Sequence, residues 1–125
     1  MQPESAKKLR VKTKTWIENE HGELLFGKGK TEILQYIEQE GSIAGAAEKM
    51  GLSYKKGWTH IKILQTLIHD DLVLTKKGGH GKGGSSLTPK AKEVVDKYRQ
   101  LQCDIEDFAN KRFQELFFPS SSNKK

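Results

Sequence analysis

Gly41-Ser-Ile-Ala-Gly-Ala-Ala-Glu-Lys-Met-Gly-Leu-Ser-Tyr-Lys-Lys-Gly-Trp58 decides how this chain folds. Ser42 can cap a short helix in which Ile43, Ala46, Ala47 and Met50 recur at helical spacing. Gly51 supplies a left-handed residue to end it, Leu52 bridges the turn, and Ser53 caps a longer helix reaching to about Asp70. A small-residue helix, a short glycine-containing turn and a second capped helix make a helix-turn-helix. The alanines suit it, because two helices crossing steeply must approach closely. A helical hairpin with no partner has the same local pattern, so the flanking chain has to decide.

The chain has 125 residues, 30% charged and 34% hydrophobic, enough for one globular domain and an extra element. Residues 1–118 are expected to form that domain, with 119–125 a disordered tail. No apolar run is long enough to span a membrane, and residues 1–10 lack the apolar stretch of a secretion signal. The single cysteine, Cys103, excludes an internal disulfide and suits a reducing cytoplasm.

The net charge of +6 is unevenly placed. Residues 1–31 carry +3, residues 32–52 carry −3, and residues 93–125 are balanced. Residues 53–92 hold eight lysines against Asp70 and Asp71, so the surplus lies in the second helix of the hairpin and in the segment just after it. A localised basic surface is an electrostatic footprint for nucleic acid or anionic lipid; the bland alternative is a solvated face.

Residues 7–26 read as a β-hairpin. Leu9, Val11, Thr13, Thr15 and Ile17 alternate with polar neighbours and Trp16, Asn19-Glu-His-Gly22 is the turn, and Leu24-Leu-Phe26 returns. Gly27-Lys-Gly29 breaks the strand before a helix from about Lys30 to Glu40 with Ile33, Leu34 and Ile37 inside. In the helix over 54–70, Tyr54, Trp58, Ile61, Leu64, Gln65 and Ile68 make the expected buried stripe. Lys55, Lys56, Thr59, His60 and Lys62 fall largely on the other side, where cations and hydroxyls at a helix N-terminus suit phosphate and base-edge contacts.

Residues 72–88 read as a wing: a strand over 72–76, a return over 85–88, and Lys77-Gly-Gly-His-Gly-Lys-Gly-Gly84 between them. Its glycines let the backbone and Lys77, His80 and Lys82 track a phosphate backbone closely. The spacing argues against a nucleotide-binding loop, because after Lys82 come Gly83-Gly84 and a strand rather than Ser/Thr and a helix. Thr88-Pro89 starts a helix to about Phe117. In it Ala91, Val94, Tyr98, Leu101, Ile105 and Phe108 form an apolar seam, suited to pairing two chains or to folding back on its own domain. Neither the histidines nor Cys103 have metal-ligand spacing, and no nucleophile–base constellation is visible.

Gly41-Ser-Ile-x-x-Ala-Ala-x-x-x-Gly-Leu-Ser-Tyr-Lys-x-x-Trp58, with Gly78-Gly-x-Gly-x-Gly-Gly84 and Leu87-Thr-Pro89, resembles the N-terminal domain of ModE-type molybdate-dependent transcriptional regulators, a domain related to that of LysR-type regulators. The resemblance covers roughly residues 10–110. It implies a dimeric winged helix on palindromic DNA, with a recognition helix starting near Ser53 and a wing centred on Gly81. Two departures stand out: Gly57 where the family usually has Ala before the Trp, and a chain that stops at Lys125 where the family continues into molybdate-binding domains.

The expectation is therefore a mainly α fold with small β: a winged helix-turn-helix with an N-terminal β-hairpin and a long C-terminal dimerisation helix. It is expected to bind double-stranded DNA as a homodimer through residues 89–117, using Ser42, Ser53, Tyr54, Lys55, Lys56, Thr59, His60 and Lys62 with Lys77, His80 and Lys82 of the wing. No catalysis, cofactor, metal, membrane contact or molybdate binding is expected, nor an effector domain of its own, and the location is cytoplasmic, at the nucleoid. The alternative is a winged-helix module that binds a protein partner.

Overall fold

Ser42 and Ser53 both act as helix caps in a computed structural model of the chain, which describes residues 8–76 and 84–119. Ser42 Oγ accepts from the Gly45 amide at 2.9 Å, and Ser53 Oγ from the Lys56 amide at 3.1 Å. Caps of this kind each stabilise a helix by about 1 kcal/mol. In chain order the elements are β1 (Trp16–Glu18), β2 (Leu24–Gly27), α1 (Lys28–Glu40), α2 (Ile43–Lys49), α3 (Tyr54–Ile68), β3 (Val73–Lys76), β4 (Gly84–Leu87) and α4 (Pro89–Phe117). The described residues fall into two compact units, one of residues 15–98 and one of 8–14 with 99–119.

The first unit is a winged helix-turn-helix. Ile33, Leu34 and Ile37 of α1, Ile43 and Ala46 of α2, Ile61 and Leu64 of α3, Leu72, and Ala91, Val94, Val95 and Tyr98 of α4 form one buried cluster. Gly51, at φ +69°, makes the turn between α2 and α3, and the Leu52 amide closes it on the Ala47 carbonyl at 2.8 Å. Gly57 is buried where α3 meets both other helices: a Cβ there would lie 3.2 Å from Ala47 Cβ and 3.2 Å from Ile33 Cδ1. The glycine that departs from the Ala usual in the resembled family is a point of close approach. Tyr54, expected in the buried stripe, is 54% exposed, and Gly57 one turn later occupies the inner position.

The wing strands pair antiparallel, Val73 with Leu87 through to Lys76 with Gly84. Their base is tied to the helices. The Ser85 amide donates to the Gly41 carbonyl at 2.8 Å, and Gln65 Oε1 accepts from the Leu72 amide at 2.9 Å. Thr88 Oγ1 caps α4 by accepting from the Ala91 amide at 3.1 Å while donating to the Asp71 carbonyl at 2.8 Å. The loop between the strands, with Lys77, His80, Gly81 and Lys82, lies outside the described residues, as do the start of the expected hairpin at residue 7 and the tail from residue 120.

Three expectations are corrected. The hairpin is shorter than the alternation suggested: β1 begins only at Trp16, although the turn at Asn19–Gly22 forms with Gly22 at φ +81°. In the second unit residues 8–14 run along α4 instead. Asn110 of α4 exchanges two hydrogen bonds with the Val11 backbone, at 2.7 and 3.2 Å. Glu106 Oε2 accepts from the Thr13 amide at 3.3 Å, and Gln102 Nε2 donates to Thr13 Oγ1 at 2.7 Å. Side chains four residues apart on one helix face thus stand in for a partner strand, and period-two alternation cannot tell the two apart. Second, α1 starts at Lys28, directly after β2, because Thr31 Oγ1 ties the first turn to the Gly27 carbonyl at 2.9 Å. Third, the α4 seam divides. Ala91, Val94 and Tyr98 are buried in the winged helix, and Tyr98 donates to the Thr15 carbonyl at 2.7 Å, whereas Leu101 and Phe108 are 41% and 65% exposed.

Candidate nucleic-acid interface

The cap at Ser53 fixes which residues stand in the first turn of α3: Tyr54, Lys55 and Lys56. Helix amides there present a partial positive charge, so a lysine costs about 0.3–1 kcal/mol relative to the usual acidic residue. No acidic residue occupies that turn. Among the described residues, no carboxylate lies within ion-pair distance of Lys55, Lys56 or Lys62. Lys62 instead sits 5.9 Å from the centroid of the Trp58 ring. A fold that places unpaired cations against a helix dipole gains nothing from them internally.

Lys55, Lys56, Thr59 and Lys62 are all exposed. Thr59 Oγ1 donates to the Lys55 carbonyl at 3.0 Å, leaving its lone pairs and methyl group to an outside ligand. Tyr54 Oη accepts from Trp58 Nε1 at 2.8 Å, which fixes the ring at the edge of this face. The Ser42 and Ser53 oxygens are occupied by capping, so each offers an external acceptor only its hydroxyl proton.

His60 departs from the expectation that it lies on the outer side. It is half-buried, and its Nδ1 is sealed from solvent with no hydrogen-bond partner. Burial, then the charges of Lys30 and Lys56, hold its pKa below the usual histidine value. Lys30 was missed by the sequence reading. Its stem is packed, with only 8% of the residue exposed, while its ammonium is not among the sealed polar atoms. Burial and the neighbouring Lys56 push its pKa below the usual lysine value. The available signal was its position three residues before Ile33 and seven before Ile37, on the apolar stripe of α1. Among the described residues, no group of three or more His, Cys, Asp or Glu could hold a metal ion, and no helix is long and apolar enough to cross a membrane.

No protein-family model matches the chain. It is similar to the molybdenum transport protein ModE of Azotobacter vinelandii, 34% identical over 84 residues, covering 67% of this chain and 31% of that protein. The DNA-binding transcriptional dual regulator ModE of Escherichia coli (strain K12) is 35% identical over 69 residues, covering 55% of this chain and 26% of that one. The chain thus spans less than a third of the length of these relatives. Among solved structures, the CbnR DBD–DNA complex aligns with a TM-score of 0.50 at 15% identity, covering 70% of this chain and 94% of that one, a likeness of fold. Over a stretch of up to 84 residues, on a winged helix-turn-helix, the chain is a homologue of the ModE proteins.

Proposed function

We propose that this chain is a sequence-specific DNA-binding transcriptional regulator, with α3 entering the major groove and the wing resting on the backbone. The observation that carries this is the set of unpaired cations on the exposed face of α3, held at a capped N-terminus. The names of the ModE relatives point the same way. Lys55, Lys56 and Thr59 read bases or adjacent phosphates, with Ser42, Ser53, Tyr54 and Lys62 at the margin, and Lys77, His80 and Lys82 hold the backbone. In this reading the chain is no enzyme and acts in the cytoplasm, at the nucleoid. Selection of genomic fragments by the purified protein tests it. Recovery of a shared sequence that outcompetes random duplex supports the reading, and retention of no fragment refutes it in favour of a protein-binding module.

The same reading makes the regulator a homodimer through α4. Support comes from the exposed Leu101, Phe108, Leu116 and Phe117, an apolar run that continues past the buried part of the helix. Phe108→Asp should yield a monomer in sedimentation, and an unchanged dimer would refute this pairing. These residues are also proposed not to bind molybdate. Tight oxyanion binding needs convergent backbone amides and hydroxyls around a buried cation, whereas the described cations of α3 are open to solvent. Calorimetric titration with molybdate should give no stoichiometric heat, and micromolar binding would overturn the proposal.

A further inference from the structure

We propose that Lys30, Lys56 and His60 form a seat for one backbone phosphate of duplex DNA, and that filling the seat draws a proton onto His60. The inference rests on the DNA-binding reading and assigns a specific contact within it. Lys30 comes from the first turn of α1 and Lys56 from the first turn of α3. The two helices come together where Gly57, the residue after Lys56, faces Ile33, one turn after Lys30. The Lys30 stem is packed, and among the described residues no ion pair reaches Lys30 or Lys56. The nearby acid Glu32 is paired with Lys28 at 3.9 Å. Two ammonium groups from the first turns of adjoining helices, neither in an ion pair among the described residues and with the Lys56 charge acting on Lys30, define a place where a single anion relieves both.

His60 makes the seat sensitive to protons. In the free protein burial and then the two lysines disfavour the protonated imidazole, whose Nδ1 is sealed without a partner among the described residues. The charged groups acting on it are Lys30 from α1 and Lys56 from its own helix. From β2, also packed on α3, come Leu24, Leu25, Phe26 and Gly27, none of which titrates. α2 brings Glu48 and Lys49, both exposed, and neither acts on His60. A phosphodiester between the lysines cancels their repulsion and raises the proton affinity of the ring. Binding then takes up protons, so affinity rises as pH falls through the histidine range.

The test is duplex affinity by fluorescence anisotropy, using a random-sequence duplex of roughly two helical turns. Wild type should bind about threefold or more tightly at about pH 5.5 than at about pH 7.5, and His60→Gln should reduce that dependence, leaving only the share that His80 of the wing contributes. Lys30→Met keeps the packed stem and removes the charge; it should weaken binding about 3–10-fold and reduce the salt slope by about one. Lys30→Arg should restore both. The His60 ring, tracked by NMR, should titrate higher in the presence of duplex than in its absence. Failure of the wild type to bind any duplex overturns the DNA-binding reading and this seat with it. Binding with an unchanged pH trend in His60→Gln, or with unchanged affinity and slope in Lys30→Met, overturns the seat alone. If inorganic phosphate at matched ionic strength moves the ring as far as duplex does, the seat takes a free oxyanion, and the backbone assignment is wrong.

Discussion

Helices α3 and α4 are both rich in lysine and treat it in opposite ways. In α4, Lys97 bonds Glu93 at 2.6 Å, Lys90 lies 3.5 Å from Glu93, and Lys92 reaches Glu38 at 3.5 Å. Lys97 and Lys90 accordingly hold the Glu93 carboxyl below the usual range. In α3, Lys55, Lys56 and Lys62 have no such partner among the described residues, and two of them stand at the end of the helix that disfavours cations. Lysine content alone therefore says little about function. What matters is whether the fold neutralises the charge itself or leaves that to a ligand.

The comparison depends on α3 being held rigidly, and Gly57 is where it is held. Gly57→Leu forces a side chain into a space where a Cβ alone already meets Ala47 and Ile33 at 3.2 Å. The expected loss is about 1–3 kcal/mol or more in denaturant unfolding, together with DNA affinity. A variant as stable as wild type would mean that α3 can shift away from α1 and α2, which would undo the fixed placement of its lysines.

A second way to probe the contrast is acid, since α4 also uses its carboxylates internally. Hydrogen bonds from Thr13, chiefly its amide, and the charge of Lys12 keep the Glu106 carboxyl below its ordinary pKa. A depressed folded pKa contributes stability above the unfolded value, and that contribution is lost as pH falls through the folded one. The Thr13 amide should thus lose hydrogen-exchange protection below about pH 4. The Val11 amide, held at 2.7 Å by the non-titrating Asn110, should lose less. Equal protection of Thr13 at pH values above and below that range would contradict the assignment.

The smallest effects carry the sharpest sign. Lys55→Ala and Lys56→Ala should each stabilise the isolated protein by a few tenths of a kcal/mol, since each removes a cation from the unfavourable end of a helix. Lys97→Ala should destabilise it by about 0.3–0.5 kcal/mol by breaking an i,i+4 pair. Thermal unfolding of the three variants reads both signs. Destabilisation in all three would erase the distinction between the helices.

Much of this was legible in the sequence, because the decisive signals are local. The caps at Ser42, Ser53 and Thr88 and the turn at Gly51 each act within a few residues of themselves, and caps and turns depend on little else. The wing strands were bounded within a residue or two for the same reason. What could not be read depends on distant neighbours. Val11 and Thr13 alternate as a strand does, yet their partners are Asn110 and Glu106, almost a hundred residues away. His60 was assigned outward by helical periodicity, which does not see Lys30 on another helix. Helix propensity counts Gly57 against α3, and does not see the two helices packed against it. The α4 seam was found as a pattern, but its division into a buried and an exposed half is set by where the winged helix ends.

The central claim is that the unpaired lysines of α3, unlike the paired ones of α4, are neutralised by phosphates. The most direct measurement is the dependence of duplex affinity on salt for wild type, for Lys55→Ala/Lys56→Ala/Lys62→Ala and for Lys90→Ala/Lys92→Ala/Lys97→Ala. Wild type should give a slope of log K against log salt of about −5 to −9. The α3 variant should lose a large part of that slope, and the α4 variant about none. Equal loss in the two variants, or a wild-type slope near zero, would contradict the account.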